Sequence, residues 1–424
     1  MRRRSTTALA VVATAALTLG ACGRDNGGTG EAAQGTDVGS GKATGTITVW
    51  AMGAEGEKLP ELAKDFEAQN PGAKVNVTAI PWDAAHDKFT TAITANSTPD
   101  AAMVGTTWMG EFAGLGALDP LPGNIDSGGF FPGAQKTTEV DGTSYGIPWY
   151  VETRLLFYRT DLAKKAGYDA APTDWQGLKD MAKAMQTKAG ATWGLGLQAG
   201  GQGSWQTIMP FAWGEGASLS DGKKYTFDTP ELLKAAQYYQ SFFTDGISDK
   251  AAPAQPTTEP DFASGKVPMF ISGPWMMSAV EKVGGAGFKD KYAVAKLPAG
   301  AKESSSFVGG SDFVVFKNSK QRDTAWKFVQ FLSDPKTQAK WYGMSTDLPS
   351  VQSAWDDPAL SGDEKLRVFG EQLKTAQAPP SFATWEQVIA SFDSEMEKVT
   401  KTGADPKKAL ETVQQQADSI GTGQ

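Results

Sequence analysis

One cysteine and one histidine in 424 residues set the first limits on this chain. A lone thiol closes no intrachain disulfide. A lone imidazole removes most metal centres built on histidine and leaves little room for a Ser-His-Asp type of catalysis. Positive charge is also in deficit: 40 Lys+Arg against 48 Asp+Glu give a net charge of −8 and a pI of about 5.0. That balance argues against a nucleic-acid partner, whose phosphates need a basic surface. After the N-terminal segment no stretch has the roughly 20 consecutive apolar residues of a membrane helix, so the body reads as soluble. Nothing repeats at a solenoid or propeller period. With 40% hydrophobic and 21% charged residues, the composition is that of a globular protein. The length suggests two or perhaps three domains of roughly 150 residues. Tryptophan is the one excess. There are 13, and their large flat faces need a use.

The N-terminus reads as targeting. Arg2, Arg3 and Arg4 form a basic region, and residues 8–19 form an uncharged, mostly apolar run too short to span a bilayer comfortably. It ends Leu19-Gly20-Ala21-Cys22, which resembles the processing box of bacterial lipoproteins. The resemblance implies removal of residues 1–21 and lipidation of Cys22; the plainer alternative is an ordinary signal peptide with an incidental Cys. Cleavage takes three positive charges from a net −8 and leaves −11. Residues 23–45, rich in Gly, Thr and Ala, have too little apolar area to order themselves and are expected to form a flexible tether. Such a coil spans on the order of 25 Å.

The body alternates strand and helix patterns. Thr46-Ile47-Thr48-Val49-Trp50 is a β-branched strand, with Gly53 and Gly56 expected to break it. Leu59, Leu62, Ala63 and Phe66 then recur at helical spacing. A second strand is expected at 75–80, a second helix at 84–95 and a short buried strand at 101–104. This order implies a parallel sheet with helices on its faces. Ligands on such sheets bind beyond the carboxyl ends of the strands, which singles out the loops 51–57, 81–83 and 105–109. Further strands are expected at 155–158, 193–197, 267–271, 292–297 and 313–316, with helices between them and a mainly helical chain after Arg322.

Three stretches carry a family resemblance. The first holds Pro81-Trp82-Asp83, Thr98-Pro99-Asp100 and Gly105-Thr106-Thr107-Trp108-Met109. The second is Tyr145-Gly146-Ile147-Pro148-Trp149-Tyr150-Val151-Glu152, running on to Leu155-Leu156-Phe157-Tyr158. The third, and most diagnostic, is Phe262-Ala263-Ser264-Gly265-Lys266-Val267-Pro268-Met269-Phe270-Ile271-Ser272-Gly273-Pro274-Trp275. Together they resemble the family-1 extracellular solute-binding proteins of bacterial ABC importers, the group that includes the maltose-binding protein. The resemblance implies an α/β, two-lobed periplasmic-binding-protein fold (type II-like), each lobe a mixed sheet flanked by helices. It places the N-terminal lobe at 46–151 plus about 309–345 and the C-terminal lobe at 152–308 plus about 346–424. Hinge crossings are implied at about 149–154, at 308–312 and after about Met344.

The implied protein is a membrane-anchored binder of di- or oligosaccharides on the extracytoplasmic face of the cell membrane. It has no cofactor, metal or catalytic residue, acts as a monomer, touches the membrane through its lipid alone and delivers sugar to ABC permease subunits. A pyranose offers an apolar C–H face to aromatic rings and a rim of hydroxyls to carboxylates, amides and Arg. The resemblance assigns stacking to Trp275 and Trp385 and hydroxyl recognition to Glu152. At least one of Trp149 and Tyr150 is expected in the cleft, because neighbours on a strand point to opposite sides. Thr106, Thr107, Trp108, Arg154, Trp205, Gln206, Gly310, Ser311, Glu55 and His86 complete the expected site; for His86 and Trp205 the competing reading is a surface helix residue and lobe packing, respectively. Ala54-Glu55 and Val104 depart from the maltose binder, so maltose itself is not implied. The Pro-Trp-Tyr and Gly-Thr-Thr-Trp-Met segments look closer to actinobacterial α-glucoside and chitobiose binders. Two rivals come from other classes. A secreted glycoside hydrolase needs only a carboxylate pair, and a lipoprotein adhesion or signalling module would lack a deep closing cleft.

Overall fold

The computed structural model describes residues 35–251 and 258–423. The expectations at Cys22 and the signal segment lie outside the described residues. Residues 35–43, expected as tether, instead run along the body. Gly35 N–H donates to Leu121 O at 2.9 Å, Val38 N–H donates to Asn124 Oδ1 at 2.9 Å, and Ala43 is buried. Gly35 lies so close that a Cβ there would stand 2.2 Å from Pro120 O.

The first sheet runs, edge to edge, through Gly72–Ile80, Thr44–Met52, Ala101–Gly105, Ser306–Val315, Gly146–Thr153 and Leu348–Pro349, with Ala376–Gln377 added beside Ser306–Val315. The first three strands are parallel, as the strand–helix order requires. Ser306–Val315 is antiparallel to both of its long neighbours, which makes the sheet mixed. Ile47, Val49 and Ala51 alternate into the core, and the helix Gly53–Gln69 covers it with Leu59, Leu62, Ala63 and Phe66.

That helix starts six residues earlier than the apolar spacing implied. Gly53 takes φ +53°, so the chain turns straight from strand into helix, and Gly56 packs its backbone against Ala51 O. The two glycines thus start the helix rather than merely ending the strand, and they put Glu55 in its first turn. The next helix, Trp82–Thr94, starts at Trp82 rather than Ala84.

The second sheet has three antiparallel strands, Met269–Ser272, Leu155–Arg159 and Tyr292–Ala295. Helices Trp175–Ala189, Trp205–Glu215, Pro230–Thr244, Trp385–Glu397 and Pro406–Ile420 pack beside it through Met181, Met185, Phe211, Phe242, Phe392 and Leu410. Asp174 caps the first of these, accepting from Gly177 N–H at 2.8 Å. Residues 193–197 make no strand, only an isolated bridge from Gly196 to Phe270. Gly194 is wedged against the backbone of Ala182, where a Cβ would come within 2.2 Å, and its N–H donates to Ile247 O at 2.9 Å.

The three expected crossings lie side by side. Gly146–Thr153 pairs with Ser306–Val315 through Gly309–Glu152 and Gly310–Val151, and Leu348–Pro349 flanks Val151 and Tyr150. The register slips by one residue between Ser311 and Asp312. Such a bulge re-aims side chains where two bodies meet.

Candidate functional site

A cavity of about 460 Å³ opens where the two sheets meet. From the first sheet it is lined by Glu55, Trp82 and Gly105-Thr106-Thr107-Trp108, all at the carboxyl ends of the three parallel strands. From the other side come Pro274, Trp275 and Gln206. The crossing segments supply Tyr150, Val151, Glu152, Phe307, Gly309, Gly310, Thr346, Asp347 and Leu348.

Two rings dominate it. Trp82 is 39% exposed and Trp275 is 45% exposed; every other tryptophan is buried or half-buried. Trp82 leans its edge on Trp108 at 6.0 Å, and its Nε1 points to Glu55 Oε2 at 3.5 Å. Trp275 is the first residue of the helix Trp275–Gly284. Its ring lies over Gly273, where a Cβ would fall 2.0 Å from Cζ3, so only glycine seats it.

The Arg154 guanidinium carbon stands 4.6 Å from the Trp275 ring centroid. Arg154 also donates to Gln206 Oε1 at 2.7 Å and lies 3.5 Å from Glu152 Oε1. Gln206 is placed in turn by the buried Asp393, which accepts from Gly203 N–H at 2.6 Å, Ser204 Oγ–H at 2.7 Å and Trp205 N–H at 2.9 Å. Burial still pushes Asp393 up to about 6 against those three bonds. Beyond Arg154, Gln206 and Trp275 a second space of about 720 Å³ continues toward Trp193, Gln198, Thr207 and Lys266.

The cavity is electronegative. Burial raises the Glu152 carboxyl, opposed by the charge of Arg154, and Glu152 Oε2 has no hydrogen-bond partner among the described residues. Asp347 accepts from Trp341 Nε1–H at 3.0 Å; burial and then the Glu55 carboxylate push it up to about 7. Burial, followed by Glu55, Asp347 and Glu152, raises the Tyr150 hydroxyl well above its usual value. Among the described residues no group of three His, Cys, Asp or Glu side chains is arranged to hold a metal ion.

Of the residues expected at a site, the structure brings Trp275, Glu152, Tyr150, Thr107, Trp108, Gly310 and Glu55 to this one cavity, with Arg154 at its border. Five do not line it. Trp149 is 2% exposed, wedged between Phe313 and Trp341 at 5.4 and 5.0 Å; alternation along its strand sends Tyr150 to the cavity instead. Trp385 is 1% exposed and packs on Trp205, itself buried against Phe307, so both stand a layer behind the lining. Ser311 is fully buried next to the bulge. His86 hydrogen-bonds with Glu111 Oε2 at 2.8 Å, which raises its pKa, and its ring stacks on Phe112.

Of the lining residues outside the expected set, Trp82 and Asp347 matter most. Trp82 sits in the 81–83 loop that strand order singled out, and the Pro-Trp pair there was the available signal. Asp347 lies just past the crossing implied after about Met344, but no motif singled out its carboxylate.

Residues 51–339 match the family described as bacterial extracellular solute-binding protein. A binding protein of Brucella abortus is 29% identical over 86% of this chain and 90% of its own length. The diacetylchitobiose binding protein DasA of Streptomyces coelicolor is 28% identical over 88% of this chain and 87% of its own. Among solved structures, the sugar-binding protein MalE of Xanthomonas citri is 32% identical, covers 89% of this chain and 97% of its own, and superposes with a TM-score of 0.83. All three are described as binding proteins. A family match over more than half the chain, joined to a two-lobed structure of the same fold, establishes that the chain belongs to the bacterial extracellular solute-binding protein family.

Proposed function

We propose that this chain captures a di- or oligosaccharide in the cavity between its lobes and delivers it to an ABC permease at the outer face of the cell membrane, held there as a monomer by lipid on Cys22. One observation carries the reading. Of 13 tryptophans only two are exposed, and both line the same cavity, one following a strand of each sheet. An exposed tryptophan at the start of a helix adds nothing to the core, whereas its face matches the C–H face of a pyranose. Carboxylates, Gln206 and the Tyr150 hydroxyl supply the rim with acceptors and donors. The three adjacent crossing segments serve as the hinge, with lobes at 46–151 plus about 309–345 and 152–308 plus about 346–424, and ligand biases the closed state.

Calorimetry against a panel of di- and oligosaccharides tests this. The expected result is micromolar or tighter binding with the sugar recovered unaltered. Release of cleaved product would instead support the hydrolase, in which two cavity carboxylates act as acid and base.

A further inference from the structure

The cavity of about 460 Å³ shares a wall with the space of about 720 Å³ beyond it, because Trp275 and Gln206 line both. Within the first cavity Trp82 and Trp275 offer one ring each, which suits a disaccharide with one pyranose to a ring. A ligand of that length leaves the second, larger space without a use.

The lining of that space is suited to a sugar. Trp193, half-buried, gives it an aromatic ring of its own. Around it stand polar groups whose hydrogen-bonding capacity is not taken up by the protein. Arg154 uses only Nη2, toward Gln206 and Glu152; its Nε and Nη1 donors have no acceptor among the described residues. Gln206 accepts from Arg154 through Oε1, while its Nε2 amide donates to nothing among the described residues. Gln198 Nε2 donates to Gln202 O at 3.0 Å, which leaves Gln198 Oε1 open, and the Thr207 hydroxyl is open as well among the described residues. None of these atoms is sealed from the surface. Pyranose hydroxyls both donate and accept, and guanidinium, amide and hydroxyl groups answer them in both directions.

We infer that the ligand is an oligosaccharide of at least three units, two held between Trp82 and Trp275 and the third beyond Trp275, in a second subsite formed by Trp193, Arg154, Gln198 and Thr207. The inference rests on the saccharide-binding reading above and sets the length of its ligand. Arg154 joins the two parts. Its guanidinium carbon stands 4.6 Å from the Trp275 ring centroid, and its side chain lines the second space but not the first. A unit that leaves the Trp275 ring therefore meets the open donors of Arg154 next.

The test is titration calorimetry of the full-length protein with graded series: maltose to maltotetraose, cellobiose to cellotetraose, and the β-1,4-linked di- to tetrasaccharides of N-acetylglucosamine and of galactose. In any series that binds, the trisaccharide should bind at least about tenfold more tightly than the disaccharide, about 1.4 kcal/mol. Trp193→Ala should bring that ratio to within about threefold of unity. Both affinities are read on one protein, so a general loss of folded protein leaves the ratio in place. Should Trp193→Ala fail to fold, Arg154→Met, which keeps the stem and removes every donor, should collapse the ratio in the same way. A disaccharide that binds as tightly as its longer relatives, or a parent-like ratio in the folded variant, overturns the inference and leaves the saccharide reading standing. Failure of every saccharide overturns both.

Discussion

Trp82 and Trp275 hold the same local position in distant parts of the chain. Each is the first residue of a helix, each follows a proline, and each comes just after a strand of a central sheet. Trp175, Trp205 and Trp385 also begin helices, but no sheet strand runs directly into those helices, and their rings turn inward or half inward. The Pro-Trp pair at a strand end was therefore the legible sign of an exposed ring, whereas tryptophan abundance alone was not. Pro148-Trp149 shows its limit, because that pair lies within a strand, where alternation buries the ring.

Titration at the buried carboxyls is likewise a residue-scale property. Asp312 is fully buried; Oδ1 accepts from Thr137 Oγ1–H at 3.0 Å, Oδ2 has no partner among the described residues, and burial pushes it up to about 8. Its folded value lies above the unfolded one. Its contribution to stability is thus full below about pH 4 and is lost as the pH rises through about 8. Asp312→Asn is expected to flatten the fall in Tm between about pH 6 and pH 9 by roughly 2–4 °C relative to the parent protein. Parallel Tm curves for the two proteins would show that Asp312 does not titrate there.

Among the elements, the paired strands Gly146–Thr153 and Ser306–Val315 do most to shape the site, and glycine makes their pairing possible. Gly310 has φ +117°, and a Cβ would stand 2.1 Å from Tyr150 O. Gly310→Ala combines a disfavoured backbone region with a backbone collision and is expected to cost at least about 1–3 kcal/mol in urea unfolding. It should also weaken ligand binding, because Tyr150 and Glu152 sit on the displaced strand. An unchanged midpoint would mean that the strand shifts freely.

Periodicity exposed the parallel strands and the amphipathic helices because each buries one face by local spacing. It failed at 193–197, where Gly194 and Gly196 follow tertiary contacts, while composition failed at residues 35–43, which are ordered by lying on the body. The pairing of 146–153 with 306–315 joins segments more than 150 residues apart. Nothing in local propensity encodes it, so the expectation that these segments come together rested on resemblance and not on pattern.

On the scale of the whole molecule, chain order and spatial order disagree in a useful way. The first sheet takes strands from both halves of the sequence, so segments far apart in the chain share one sheet. The cavity lies against those segments, with Tyr150, Glu152, Gly310 and Asp347 supplied by them. With these segments as the proposed hinge, a ligand held there would touch both lobes and the hinge together, which is the differential affinity that closure needs. Small-angle scattering is expected to report a smaller radius of gyration with saturating sugar than without it.

The central claim is that one exposed tryptophan from each lobe clamps a sugar. It is tested most directly by titration calorimetry with the tightest saccharide found, on the parent protein and on Trp82→Ala and Trp275→Ala variants whose melting curves match the parent. Each variant is predicted to lose at least tenfold in affinity, about 1.4 kcal/mol, with the sugar recovered intact in all cases. Parent-like affinity in both variants would contradict the account.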